Sequence, residues 1–191
     1  MLSRVLVFLL SFVLLGACAT VGTSQPVFQP SPKEFATLPK PAIARPFHRE
    51  QLLVAKTDGG IHSLQTILDA DGEKITFAGV STLGARLFKI VYTSGQIEVE
   101  QLAGLPNAPS GAQVLSDIML STWPVDAWRG HLPSGWALTD EGDSRRVLRD
   151  GEGKVVEDFF YENRNGLREP VRIVHRIFHY DISIQNLEDD T

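Results

Sequence analysis

Gly84 to Leu102 reads GARLFKIVYTSGQIEVEQL, and its two halves behave differently. Up to Thr93 the run is apolar on both faces, with Leu87, Phe88, Ile90, Val91 and Tyr92 interrupted by Lys89 alone. Ser94-Gly95 then turns the chain. In QIEVEQL the residues Ile97 and Val99 alternate with Glu98 and Glu100. Side chains on a strand point alternately to opposite faces, so this second half has one buried and one wet face. Two such runs joined across a two-residue turn predict an antiparallel hairpin.

The same punctuation recurs on either side. His48 to Thr57 and Ile61 to Ala70 flank Asp58-Gly59-Gly60, and Asp71-Gly72 leads into Lys74 to Val80. Further on, strands are predicted at Trp136 to Thr139, Arg146 to Arg149 and Lys154 to Tyr161, the last two joined across Asp150-Gly151-Glu152-Gly153. The closing run, Pro170 to Leu187, sets Val174, Phe178, Tyr180, Ile182 and Ile184 on one face. It is long for one strand, which predicts a bend. Between the two groups of strands lies a helix. Ser110 or Gly111 caps it, and Val114, Leu115, Ile118 and Met119 form its apolar stripe. Pro124 ends it and opens a short turn, Val125 to Arg129. The expected fold is mainly β (α+β): five strands, a central helical insert, then four or more strands, antiparallel throughout.

The N-terminus has a different character. Val5 to Leu15 is apolar except for Ser11, too short to span a bilayer and of the length of a secretory h-region. Leu15-Gly16-Ala17-Cys18 resembles the bacterial lipobox, and Cys18 is the only cysteine in the chain. That resemblance makes residues 1–17 a lipoprotein signal peptide and Cys18 the acylated first residue of the mature chain. The competing reading is an ordinary cleaved signal with an incidental cysteine. Two or three acyl chains meet the two-signal requirement for stable anchoring. Ala19 stands where an aspartate would resemble an inner-membrane retention signal, so the expected location is the outer membrane, periplasmic face.

Residues 18–46 carry six of the eleven prolines, at positions 26, 30, 32, 39, 41 and 46, and read as an extended, semi-rigid tether. One domain, 47–191, is expected to follow. With 43% hydrophobic and 21% charged residues the composition is that of a globular protein. The net charge of −5 leaves no basic stripe to neutralise phosphates, so no nucleic-acid partner is expected.

ITFAGVSTLGARLFKIVYTSGQIEVEQLAGLP, QVLSDIMLSTWPVDAW, GWAL, RRVL and RIVHRIFHYDISIQNL together resemble a bacterial lipoprotein family of unknown function. Its members occur in gene clusters for aryl-polyene-type pigments and related lipids. The family is similar to LolB and LolA, whose incompletely closed antiparallel β-barrel wraps a helical lid over an apolar cavity. The resemblance implies that fold, and a protein that binds or accepts a lipid or acyl ligand. Its partners would be the membrane, through the anchor, and biosynthetic or export proteins. In LolB an exposed apolar loop hands lipoproteins to the membrane; here LAGLPNAP, Leu102 to Pro109, would take that part.

No motif calls for catalysis or a cofactor. GVSTLG lacks the spacing of a nucleophile elbow, and Asp69 to Glu73 is too short for a calcium loop. His175 and His179 on one strand lie about 13 Å apart, too far to share a metal ion. The domain is expected to be non-enzymatic. Its sharpest feature is aromatic. Trp123, Trp128 and Trp136 fall close together around the insert. In one reading they staple the helix to the sheet. In the other the helix is a lid, Leu115 and Ile118 lie on its stripe, and the tryptophans line a cavity with Phe77, Phe88, Phe178 and Tyr180. A docking protein without any small ligand is the alternative to a lipid binder.

Overall fold

The computed structural model describes residues 38–43, 45–81, 83–101 and 109–187. The signal peptide, Cys18, most of the tether and all of the LAGLPNAP loop but Pro109 lie outside them. Ten strands are present among the described residues: β1 Phe47–Thr57, β2 Gly60–Ala70, β3 Lys74–Val80, β4 Arg86–Thr93, β5 Gln96–Gln101, β6 Ala137–Asp140, β7 Arg145–Arg149, β8 Val155–Arg164, β9 Leu167–His175 and β10 Tyr180–Asn186. The helix α1, Gly111–Thr122, and a 3-10 turn, Val125–Trp128, sit between β5 and β6.

All ten strands form one antiparallel sheet in the order β5-β4-β3-β2-β1-β10-β9-β8-β7-β6. Two five-stranded meanders, β1–β5 and β6–β10, are therefore joined by their outermost sequence elements. β1 pairs with β10 from Gln51↔Asn186 to Lys56↔Asp181. The free edges β5 and β6 do not pair, and the barrel stays incompletely closed. The segment carrying α1 runs from one edge to the other.

Local chemistry explains the elements. Ser110 caps α1 by accepting the N–H of Gln113 on its hydroxyl at 3.2 Å. The hairpin residues Gly60 and Gly95 take positive φ values, 122° and 93°, which glycine adopts without steric cost. Pro170 lies inside the sheet, where a missing N–H is normally costly. It sits opposite Tyr161, beside a register shift that accommodates it.

Two features differ from the sequence reading. The closing run is a hairpin, not one bent strand: β9 and β10 pair from His175↔Tyr180 to Arg172↔Ser183. Its turn, residues 176–179, holds Ile177 and Phe178 and no glycine or proline, so nothing local announced it. Here the His175 ring accepts the Phe178 N–H at 3.1 Å, and His179 supplies the left-handed residue at φ 53°. The shift also exchanges faces, since Ile173 rather than Val174 is buried on the concave side. The second difference is at the tether. Pro39 and Pro41 are buried, and the Tyr92 hydroxyl donates to the carbonyls of Leu38 and Pro39 at 3.1 and 2.9 Å. Among the described residues, Leu38 to Pro41 already pack on the body ahead of Phe47.

Candidate functional site

The concave face of the sheet meets α1 in two ways. On the β6–β10 side the contact is closed. Leu115, Met119, Leu120 and Trp123 are wholly buried against Leu148, Val156 and Phe159. The helix's last carbonyls, which no helical N–H reaches, are taken by side chains. Arg146 of β7 donates through Nη1 to Leu120 O and Trp123 O, both at 2.7 Å, and Tyr161 of β8 donates to Ser121 O at 2.8 Å. Arg146 is itself held by Asp140 at 2.9 and 3.2 Å, and its charge complements the negative end of the helix dipole.

On the β1–β5 side the contact is open. A cavity of about 230 Å³ lies between the sheet and the other flank of α1. Leu53, Leu68, Phe77, Phe88, Ile90 and Val99 wall it from the first meander, Ile173, Ile182 and Ile184 from β9 and β10, and Val114 and Ile118 from the helix. None of its lining residues belongs to β6, β7 or β8. Two glycines shape the wall. A Cβ on Gly79 would meet the Phe88 ring at 2.3 Å, and one on Gly111 would meet Val99 Cγ2 at 2.6 Å. Their bareness lets Phe88 lie over β3 and lets α1 approach β5.

The cavity has two polar places. At one, Asp117 of α1 accepts from Gln113 Nε2 at 2.6 Å and from the Tyr180 hydroxyl. Burial pushes the Asp117 carboxyl up to about 7. Glu157 of β8 is wholly buried beside it, with neither carboxyl oxygen hydrogen-bonded among the described residues. Burial first, and the neighbouring Asp117 charge second, push Glu157 well above the usual carboxylate range. Two buried carboxyls this close do not both ionise. Opposite Glu157 in the register stands His175, which burial pushes down to about 4. Its Nδ1 accepts the Phe178 N–H, so the neutral ring carries its proton on Nε2. The cluster is a buried polar brace between α1 and β8–β10. At the other place, Arg49 of β1 and Gln51 reach the lining near Pro170.

The residues singled out from the sequence are dispersed. Phe77, Phe88 and Ile118 line the cavity. Leu115 projects from the opposite flank of α1 into the closed core, where Trp123 and Trp128 are also buried. Trp136 packs against that core only partly buried. Phe178 stacks on His175 and Tyr180 lies tilted against it, the centroids 4.3 and 5.1 Å from its ring, whereas Phe77 and Phe88 pair with each other at 5.6 Å. His179 is exposed in the turn. Arg49, Asp117 and Glu157 went unremarked; a charged residue inside an otherwise apolar run, as in SDIML and VVEDFF, was the available signal. Among the described residues no group of three or more histidine, cysteine or acidic side chains is placed to hold a metal ion. None of their helices is long and apolar enough to cross a membrane.

Residues 48–188 match the family model described as protein of unknown function DUF3261. The chain belongs to this family. No curated protein matches it. Among solved structures it is similar to a domain assigned to outer-membrane lipoprotein sorting from Vibrio parahaemolyticus, at 5% identity and TM-score 0.40, over 74% of this chain and 83% of that one. It is similar to a LolA superfamily protein from Nitrosomonas europaea at 10% identity and TM-score 0.40, over 78% and 90%. A DUF1329 family protein from Desulfovibrio piger follows, at 10% identity and TM-score 0.35, over 72% and 82%. These likenesses are loose, and the fold rests on the strand order described above.

Proposed function

We propose that the chain is an outer-membrane lipoprotein, anchored through Cys18 on the periplasmic face, that binds or accepts a lipid- or acyl-type ligand beneath α1. The observation that carries this reading is the cavity itself. A packed interior leaves few voids larger than a water molecule, yet here about 230 Å³ stays open along one flank of a helix whose other flank is fully packed. Its walls are aliphatic and aromatic, as in small-molecule sites, and its size suits one narrow chain rather than a bulky ligand. Service to aryl-polyene-type or related lipid biosynthesis or transport is supported by the sequence resemblance alone.

The test is titration of the purified chain, carrying Cys18→Ser so that no detergent is needed, with a fluorescent polyene fatty acid whose emission rises on burial. Saturable binding is expected, and Ile118→Trp, which fills the void, should abolish it while the melting temperature moves by only a few degrees. Absence of binding to the parent chain would overturn the reading.

A docking lipoprotein with no small ligand is the second reading. It is favoured by β5, an edge strand whose Ile97 and Val99 are 37% and 53% exposed. In that case charged substitutions at Ile97 would disturb complex formation in cells and leave fatty-acid titrations unchanged.

A further inference from the structure

Among the described residues Arg49 is the one guanidinium that lines the apolar cavity, and its surroundings leave it under-used. Only 17% of its side chain is exposed. It lies over the Phe47 ring, with Cζ 4.4 Å from the centroid. A guanidinium has five N–H donors, and none makes a hydrogen bond among the described residues. Its single ionic partner among the described residues is Glu169, whose Oε1 stands 3.8 Å from Nη2, beyond hydrogen-bond length. Glu169 is held in that position. The Asn186 amide donates to its Oε2 at 2.7 Å, and Gln51 donates to Asn186 Oδ1 at 2.9 Å. Burial lowers the Arg49 pKa, and Glu169 offsets this only in part. A largely buried cation, with no hydrogen bond among the described residues and with only the Glu169 carboxylate beside it, thus faces an apolar void with donors to spare.

The remaining polar lining does not compete for that role. Asp117 has both carboxyl oxygens engaged by Gln113 and Tyr180. It also stands far from Arg49. Gln51 is paired with Asn186, at one end of β10, and Asp117 with Tyr180, at the other. Six residue steps of strand separate them, about 20 Å. Between the two lie Ile182 and Ile184.

We propose that Arg49 is the head-group subsite of this cavity, taking the carboxylate or phosphate of a single-chain amphiphile whose tail runs beneath α1. The proposal rests on the acyl-binding reading and adds the charge and the polarity of the ligand. The planar fork of arginine suits both oxyanions, because two parallel N–H donors match two anionic oxygens. Glu169 then acts against the ligand, repelling the head it borders, and the affinity is the balance of the two.

The experiment compares dodecanoate with dodecanol, equal in tail and different in charge, on the Cys18→Ser chain at neutral pH. Dodecanoate is expected to bind about tenfold tighter or more, the size of a charge-assisted hydrogen bond. Arg49→Gln should erase that preference, so that acid and alcohol bind alike, and Glu169→Gln should strengthen dodecanoate binding. Equal affinities for acid and alcohol in the parent chain would overturn the head-group proposal while the cavity reading stands. Failure of both to bind would overturn the two together. Inorganic phosphate at millimolar concentration is expected not to displace dodecanoate; displacement would show that the pole takes a free anion rather than the head of a chain, and would overturn the proposal.

Discussion

The two meanders are built alike, five antiparallel strands each, but they meet the helix between them differently. β6–β10 seals onto α1 with Trp123, Trp128 and Phe159 and fastens the helix end through Arg146 and Tyr161. β1–β5 faces the same helix across a void. One stripe on α1 serves both sides: Leu115 and Met119 are wholly buried, whereas Val114 and Ile118, one residue back in each case, line the cavity. Such a division lets one side hold the fold while the other leaves open space along the helix. In this it resembles a lid hinged to a solid wall, and its consequences are measurable.

The largest expected effect comes from the closed side. Trp123→Ala should cost about 3–5 kcal/mol in urea unfolding, since the void left by a fully buried indole is poorly refilled. Phe88→Ala, which enlarges a space that is already open, should cost well under half of that. Equal losses would mean that the cavity side is as tightly packed as the other, and the comparison would break. Arg146→Met comes next, at about 3 kcal/mol, because it strips two helix carbonyls of their donor and unpairs Asp140 from one of its two arginines. Its loss should also loosen α1 over the cavity and speed ligand exchange.

The acid brace predicts a smaller, pH-dependent effect. The folded chain keeps a proton on Asp117 up to about 7, whereas a carboxyl with the ordinary value of 3.8 has lost it. Stability from this group is therefore full below about pH 4 and is lost as pH rises through 7. Glu157 of β8 works in the same direction. His175 of β9 works in the opposite one, because a ring lowered from 6.5 to about 4 loses its contribution as pH falls through that window. Tyr180 of β10, with its own pKa raised, stays neutral throughout. Above neutrality only the carboxyls count. The melting temperature should fall by several degrees between about pH 6 and about pH 8, and Asp117→Asn should flatten that fall. An unchanged slope in the variant would remove Asp117 from the cause.

The smallest effect sharpens the N-terminal boundary. Deleting residues 25–34 should leave the melting temperature unchanged, whereas deleting 38–43 as well should lower it measurably. Tyr92 would then lose its acceptors, and the two buried prolines their packing. Equal melting temperatures would return the boundary to Phe47.

How much of this was legible beforehand follows from how local each signal is. The turns at Asp58-Gly59-Gly60, Ser94-Gly95 and Asp150 to Gly153 announce themselves, because glycine supplies a backbone that few other residues adopt. The Ile177-Phe178 turn does not. It depends on the His175 ring accepting a backbone N–H, a contact that no residue preference encodes. The tryptophan cluster was visible as a cluster. Which side of the helix it would occupy was not, since a stripe of four apolar residues is equally compatible with a sealed and an open neighbour.

The sequence by itself determined most of the antiparallel strands and the capped helix between them, all consequences of periods and turn chemistry within a few residues. Tertiary structure alone decided the pairing of β1 with β10, which brings Gln51 to Asn186 across 135 positions. That pairing closes the two meanders around α1 and draws Ile182 and Ile184 into the wall facing Phe77. It also sets Glu169 near Arg49, and Glu157 near Asp117 is placed by the same closure. Contacts between distant segments depend on which surfaces are left to bury once every local element has formed, and only the assembled sheet makes that choice.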